Sequence, residues 1–208
     1  MSATLYYIHD PMCSWCWGYR PVWDALQKKL PASLPVEYVA GGLAPDTDTP
    51  MPMELQLTIQ SHWSNIQKKL GTEFNFDFWE KNTPRRSTYM ACRAAIAANN
   101  QGYQVAMIDA IQRAYYIRAL NPSDSDVLIR LAQELCNQGL AMDVAQFSAD
   151  LISSKTQAEL ERQNLLARQL SVQGFPSLVL ECNGQRQSIG VDYKDANLTL
   201  GEIMKSIK

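Results

Sequence analysis

Strand-like segments occur only near the two ends of this chain. Residues 4–8 are rich in β-branched and aromatic residues, as is typical of strands, and residues 36–40 and 177–182 are also strand-like. The dipeptide Asn183-Gly184 directly follows the third segment and is typical of a two-residue hairpin turn. It predicts a returning strand at residues 185–189.

The middle of the chain, from about residue 51 to 170, has apolar residues at helical spacing instead. Helices are also predicted from residue 13 to about 30, with Pro21 inside, and from 195 to 207. This order predicts an α/β protein with one sheet built from both chain ends. The predicted domains are a discontinuous one at 1–45 and 171–208, and an all-helical one at 46–170, inserted between the second and third strands.

Cys13 and Cys16 lie where the first predicted strand gives way to the first predicted helix. The first turn of a helix has unpaired N–H groups and a partial positive charge, which stabilise a thiolate and lower its pKa. The spacing puts both sulfur atoms on one side of that turn. We expect Cys13 to be the nucleophile at an exposed tip and Cys16, one turn inward, to be the resolving thiol.

Ser14 and Trp15 separate the two cysteines and carry no charge, so neither can pair with a thiolate. Ser14 is at most a weak hydrogen-bond donor, and Trp15 is expected to offer an apolar surface to a peptide substrate. The sequence leaves two other interpretations open: a pair of inert buried cysteines, or half of a zinc site. Because zinc needs about four ligands and the other cysteines and histidines are scattered, no metal is predicted.

The chain has five cysteines at irregular spacing, unlike the disulfide framework of a small secreted protein. In a reducing compartment, a close pair such as Cys13 and Cys16 is more often catalytic or metal-binding than structural. Cys92 and Cys136 lie among small or apolar residues at helical spacing and are predicted to be buried and inert. Cys182 ends a predicted strand, with nothing nearby to activate it.

The formal net charge of −2, without long charged runs, gives no indication of a nucleic-acid partner. The sequence begins Met-Ser-Ala-Thr and lacks the basic start and apolar stretch of a secretory signal. No apolar run approaches the length of a membrane span. We therefore expect a cytoplasmic protein with no nucleic-acid or membrane partner.

The segment Tyr6–Tyr19 has the sequence Tyr-Tyr-Ile-His-Asp-Pro-Met-Cys-Ser-Trp-Cys-Trp-Gly-Tyr. It resembles the active-site segment of the DsbA-like family, and most closely the branch of FrnE-type and cytoplasmic protein-disulfide isomerases. The resemblance extends along the whole chain, because that family inserts a helical domain into a thioredoxin fold between its second and third strands. It implies a thioredoxin-like fold, with Cys13 as nucleophile and Cys16 as resolving cysteine.

The same resemblance implies a cis-proline loop facing the dithiol, and the segment Gly174-Phe175-Pro176-Ser177 matches it. A cis bond before Pro176 would free the backbone of Phe175 to pair with an extended substrate. Phe175 and Pro176 are thus candidate substrate-binding residues, together with Ser14 and Trp15. The alternative is an ordinary trans proline between a helix and a strand.

The chain departs from the family pattern at Tyr7. Thioredoxin and the best-known periplasmic members of the family have a buried carboxylate six residues before the first cysteine, where this chain has Tyr7. Asp10 and Glu37 are candidate replacements for this carboxylate. The simpler expectation is that Asp10 is a turn residue and Glu37 a surface residue of a strand. His9 is a third candidate to tune the pKa of Cys13, if its ring points toward the sulfur.

These features predict a thiol–disulfide oxidoreductase that acts as a reductase or isomerase through a mixed disulfide. Its expected partners are protein or peptide thiols and disulfides, with glutathione as a candidate redox partner and no bound cofactor. Two alternatives stay open. One is a glutathione-dependent kappa-type transferase or isomerase, which would not need Cys16. The other is a non-catalytic peptide-binding module, which would tolerate the loss of both sulfurs.

Overall fold

A four-stranded mixed sheet joins the two ends of the chain in a computed structural model that describes residues 3–207. Its strands are β1 (Ala3–His9), β2 (Val36–Ala40), β3 (Ser177–Cys182) and β4 (Gln185–Ile189). They lie in the order β2-β1-β3-β4. β1 is parallel to β2 and antiparallel to β3, which is antiparallel to β4. The order of strands along the chain is the predicted one.

Nine helices accompany the sheet within residues 3–207, and seven of them lie between β2 and β3. The seven are α2 (Met53–Leu70), α3 (Phe78–Lys81), α4 (Tyr89–Asn99), α5 (Gln104–Tyr116), α6 (Ser125–Asn137), α7 (Val144–Leu151) and α8 (Ser154–Gln169). α1 (Ser14–Gln27) follows β1, and α9 (Ala196–Ser206) comes last. α3 was not predicted, because four residues are too few to show a helical period.

Alternate residues of β1 face two different layers of helices. Tyr7 packs in one apolar cluster with Trp23 of α1 and Ile203 of α9. Ile8, on the opposite face of the sheet, packs in another with Ala167 of α8. The last helix before β3 therefore covers one face of the sheet. The domain boundaries at residues 45 and 171 stay a prediction.

A separate aromatic core lies among the helices between β2 and β3 and surrounds Trp63 of α2, which is fully buried. Six rings have centroids 5.0–6.0 Å from that of Trp63: Phe74, Phe76, Phe78, Trp79, Tyr115 and Tyr116. Trp17 of α1 stacks on Tyr116 at 5.6 Å, and its indole N–H donates to the carbonyl oxygen of Glu73 at 3.0 Å. The helix that begins at the Cys pair is thus fixed directly to this aromatic core.

Among residues 3–207, no helix is both long enough and apolar enough to cross a membrane.

Candidate active site

Cys13 is the N-cap residue of α1. Its backbone is extended (φ −82°, ψ 118°), and its carbonyl oxygen accepts a hydrogen bond from the N–H of Trp17 at 3.1 Å. The N–H groups of Trp15 and Cys16, in the first turn, have no carbonyl partner within the helix and stabilise the Cys13 thiolate. The helix end predicted to activate Cys13 is therefore present.

The two thiols have opposite pKa shifts. The thiol of Cys16 donates a hydrogen bond to the sulfur of Cys13, which lowers the pKa of Cys13 despite the opposing effect of burial. Burial and the adjacent Cys13 sulfur raise the pKa of Cys16 well above its ordinary value. Cys13 is therefore the thiol that ionises first, and Cys16 keeps its proton.

Cys13 is less accessible than expected, whereas Cys16 is buried one turn further into the helix. Cys13 is 7% exposed and Cys16 is 0% exposed, and all five cysteines are free thiols. The expectation that Cys13 lies at an exposed tip was wrong, because the loop before β3 lies against its thiol.

The loop before β3 faces the dithiol. The peptide bond between Phe175 and Pro176 is cis, and the thiol of Cys13 donates to the carbonyl oxygen of Phe175 at 3.5 Å. Pro176 is buried, while Phe175 is half-buried and packs in the cluster formed by β1, β2 and α8. The two candidate substrate-binding residues of this loop therefore lie beside Cys13.

Ser14 and Trp15 are half-buried in the first turn of α1. The indole ring of Trp15 meets the ring of Tyr193 edge-on, with centroids 5.3 Å apart. Tyr193 lies in the loop between β4 and α9, and no sequence pattern had marked it as a site residue. One aromatic side chain from the C-terminal part of the chain thus adjoins the dithiol.

Asp10 lies in the turn that leads into α1, as expected, and it is fully buried there. Its carboxylate accepts hydrogen bonds from four donors: the Met12 N–H (2.8 Å), the Leu43 N–H (2.8 Å), the Thr88 hydroxyl (2.7 Å) and the Cys92 thiol (3.6 Å). Burial raises the pKa of Asp10, and these hydrogen bonds oppose the rise. The charge of Asp10 raises the pKa of both Cys13 and Cys16. Of the three candidates for pKa tuning, the structure places Asp10 at the dithiol.

His9 lies in the core, where its ring stacks on that of Tyr7 with centroids 5.2 Å apart. Burial lowers the pKa of His9 to about 3, so the ring is neutral at physiological pH. Neither ring nitrogen has a hydrogen-bond partner among the residues that the structure describes. His9 therefore cannot stabilise a thiolate as a cation, contrary to that hypothesis.

Glu37 does not face the dithiol. In β2 it pairs with Tyr6, whereas the next residue, Tyr38, pairs with Tyr7 on the face that packs against α1. Successive side chains of a strand point to opposite faces, so Glu37 points away from α1. Its carboxylate lies 4.0 Å from Arg162 of α8. The hypothesis that Glu37 replaces the missing carboxylate was therefore wrong.

Cys92 is buried, as predicted, but its contact with Asp10 places it next to the site. Cys136 is only partly buried, and its thiol donates to the carbonyl oxygen of Met142 at 3.0 Å. Across residues 3–207, no three His, Cys, Asp or Glu side chains lie close enough together to hold a metal ion.

Comparison with known proteins adds a family and several related structures. Residues 5–197 match the family model of the DSBA-like thioredoxin domain. The structure is similar to that of a candidate protein disulfide isomerase from Nitrosomonas europaea, with a TM-score of 0.84, 27% identity, and coverage of 99% of this chain and 97% of the other. It is also similar to the cytosolic disulfide reductase DsbM from Pseudomonas aeruginosa, with a TM-score of 0.79, 24% identity and 98% coverage of both chains. DsbM has also been solved with GSH.

Among curated proteins, the ClpXP adapter protein SpxH of Bacillus subtilis (strain 168) is 24% identical over 190 residues. The match covers 90% of this chain and 60% of SpxH, and a second SpxH, from Halalkalibacterium halodurans, is covered to 57%. The chain thus spans about three fifths of the length of the curated relatives that it matches.

Proposed function

The chain belongs to the DSBA-like thioredoxin domain family, and from this we propose that it is a thiol–disulfide oxidoreductase that reduces or isomerises protein disulfides. The observation that supports this most strongly is the position of Cys13 at the N-cap of α1 with the buried Cys16 in the next turn, where the two thiols have pKa shifts of opposite direction. A nucleophile must ionise near neutral pH, whereas a resolving thiol must stay protonated until it is needed.

In the proposed reaction, the Cys13 thiolate attacks one sulfur of a substrate disulfide. A mixed disulfide forms, and the other substrate sulfur leaves as a thiolate. Cys16 then loses its proton and attacks the Cys13 sulfur, which releases the second substrate thiolate and leaves a Cys13–Cys16 disulfide. Two electrons have passed from the protein to the substrate. We propose that Asp10 influences this deprotonation through its charge, which raises the pKa of Cys16.

We propose that the substrate is an extended polypeptide that carries a disulfide. The backbone of Phe175 beside Cys13 would pair with such a segment as an added strand does, with Pro176 holding the loop in place. Trp15 would contribute apolar contact on the other side of the dithiol, and Ser14 would lie beside the mixed disulfide.

Glutathione is the electron donor that we propose for the return half of the cycle. Two molecules of glutathione would reduce the Cys13–Cys16 disulfide and leave as glutathione disulfide, so the protein needs no bound cofactor. In the cytoplasm, where we propose that the protein works, thiols are kept reduced and net reduction or isomerisation is favoured over oxidation.

The test compares insulin reduction and reactivation of scrambled ribonuclease, with glutathione as reductant, for wild type, Cys13→Ser and Cys16→Ser. Cys182→Ser is the matched control, because it removes a thiol remote from the dithiol. We expect Cys13→Ser to be inactive and Cys16→Ser to accumulate a mixed disulfide that mass spectrometry detects. Full activity of both variants would contradict the proposal, and glutathione conjugation that survives Cys16→Ser would favour the kappa-type transferase.

The similarity to SpxH favours a second candidate function, that of a binding module that delivers a protein to a partner. Such a module would not depend on thiol exchange. In a pull-down with a candidate client protein, a double Cys13→Ser, Cys16→Ser variant would then bind as wild type does. Loss of binding in that variant would instead tie recognition to the dithiol.

A further inference from the structure

Gly41 follows directly after β2 and continues its pairing with β1. Its N–H donates to the carbonyl oxygen of His9 at 2.7 Å, at the end of β1 that leads to the dithiol. The backbone φ of Gly41 lies outside the left-handed region, so its backbone would also suit alanine. The reason for a glycine here must therefore be space.

The aromatic ring of Phe175 occupies that space. A Cβ atom built on Gly41 would lie 2.0 Å from Cζ, 2.1 Å from Cε1 and 2.8 Å from Cε2 of Phe175. Contacts this short are impossible, and the rigid ring cannot yield by bending, as the end of a flexible chain would. Any side chain at position 41 must displace Phe175.

The main chain of the same Phe175 meets the nucleophile. Its carbonyl oxygen accepts the hydrogen bond from the Cys13 thiol at 3.5 Å. We propose that Gly41 is a positioning residue of the dithiol site, whose missing side chain leaves room for the Phe175 ring and so fixes the Phe175 carbonyl against the Cys13 sulfur.

This arrangement has a direct chemical consequence. A carbonyl oxygen accepts a hydrogen bond from a thiol but cannot donate one to a thiolate, so its presence favours the protonated form of Cys13. Displacing Phe175 should lower the pKa of Cys13. It should also misplace the backbone that is proposed to pair with the substrate, which raises KM more than it lowers kcat.

The experiment measures the pH profile of Cys13 alkylation by iodoacetamide in wild type and in Gly41→Ala. We expect the midpoint to fall by about 0.5 to 1 pH unit, as for the loss of one ordinary hydrogen bond. KM for a peptide disulfide should rise several-fold. An unchanged profile in a folded Gly41→Ala variant would overturn the proposal.

Gly42→Ala is the matched control. The neighbouring glycine has a φ of +60°, and its added Cβ would meet Tyr89 at 2.7 Å and Asn164 at 2.8 Å, not Phe175. This variant should lose stability without shifting the alkylation midpoint. An equal shift in Gly42→Ala would show that general strain, and not the position of Phe175, is responsible.

Phe175→Ala provides the second test and guards against poor folding of Gly41→Ala. Without the ring there is room for a Cβ atom, so adding Gly41→Ala to Phe175→Ala should change KM by less than about twofold and the alkylation midpoint by less than about 0.3 pH unit. Undiminished effects of Gly41→Ala in the Phe175→Ala background, or a double variant that fails to fold when Phe175→Ala folds, would refute the coupling.

The inference rests on the proposed function, but alkylation needs no disulfide substrate, so failure of the insulin assay and failure of this test are distinguishable.

Discussion

The hydroxyl group of Thr88 donates a hydrogen bond to the buried carboxylate of Asp10 across 2.7 Å. Thr88 precedes α4, among the helices between β2 and β3, whereas Asp10 follows β1 and lies three residues before Cys13. The same carboxylate oxygen also accepts from the N–H of Leu43, after β2. Because three segments meet at this carboxylate, the part of the chain between β2 and β3 contributes to the electrostatics of the dithiol.

Replacing Asp10 by Asn should make Cys13 more acidic. The charge of Asp10 raises the pKa of Cys13, so its removal should shift the alkylation profile to lower pH. The variant should also be less stable by roughly 1–3 kcal/mol, because an amide cannot accept all the hydrogen bonds that the carboxylate accepts. Iodoacetamide kinetics and urea unfolding measure the two effects.

Asp126→Asn, at an exposed position of α6, is the control for Asp10→Asn and should change neither quantity. A Cys13 profile that stays in place or moves to higher pH in Asp10→Asn would argue against an electrostatic role for this carboxylate.

The buried His9 should make the protein sensitive to acid. Its pKa is about 3 in the folded protein, whereas the ordinary value, which applies to the unfolded chain, is 6.5. Between these pH values the unfolded chain binds a proton that the folded protein does not, so acidification favours unfolding. The contribution of His9 to the free energy of unfolding is present above pH 6.5 and decreases by at most about 5 kcal/mol as the pH falls to 3.

In His9→Phe the ring stacking on Tyr7 is kept, and the titratable group is removed. We expect the free energy of unfolding, from urea titrations between pH 7 and 3, to fall less steeply than in wild type. His62→Gln, on the exposed surface of α2, should follow the wild-type curve. Parallel curves for wild type and His9→Phe would mean that His9 does not titrate in this range.

The fold was predictable because its main signals are local. The residues Asn183 and Gly184 have φ values of 52° and 79°, and this left-handed pair closes the hairpin that the dipeptide predicted. The site was predictable only where spacing along the chain determines it, as for Cys13 and Cys16. The burial of Asp10 was not predictable, because it depends on Thr88, which lies 78 residues away in the sequence.

Gly41 shows the same limit of sequence reasoning. Gly41 and Gly42 follow β2 directly, but the relation of Gly41 to Phe175 arises only when β2 and the loop before β3 are brought together. Glu37 failed as a candidate for a related reason: the face of β2 on which it lies follows from its register with β1.

Trp63 should dominate the stability of the helices between β2 and β3. Its side chain is fully buried and contacts six aromatic rings, so Trp63→Ala should cost about 3–5 kcal/mol in the free energy of unfolding. Leu57→Ala, on the same helix but 58% exposed, should change stability by less than about 0.5 kcal/mol. Urea denaturation followed by circular dichroism compares the two, and similar losses would show that this aromatic core is not the main source of stability.

Tyr193 should affect substrate binding through Trp15. Its ring meets that of Trp15 edge-on at 5.3 Å and that of Tyr19 at 5.5 Å. An aromatic pair of this kind is worth about 0.5–1.5 kcal/mol. This free energy is enough to favour the observed orientation of Trp15 over other orientations by roughly three- to tenfold. In Tyr193→Ala we expect KM for a peptide disulfide to rise by about that factor, with kcat nearly unchanged, because the substitution does not alter the reacting sulfur atoms.

The control, Tyr193→Phe, keeps the ring contact and should retain the wild-type KM. If both variants raised KM equally, the hydroxyl group of Tyr193, and not its ring, would be the group that matters for binding.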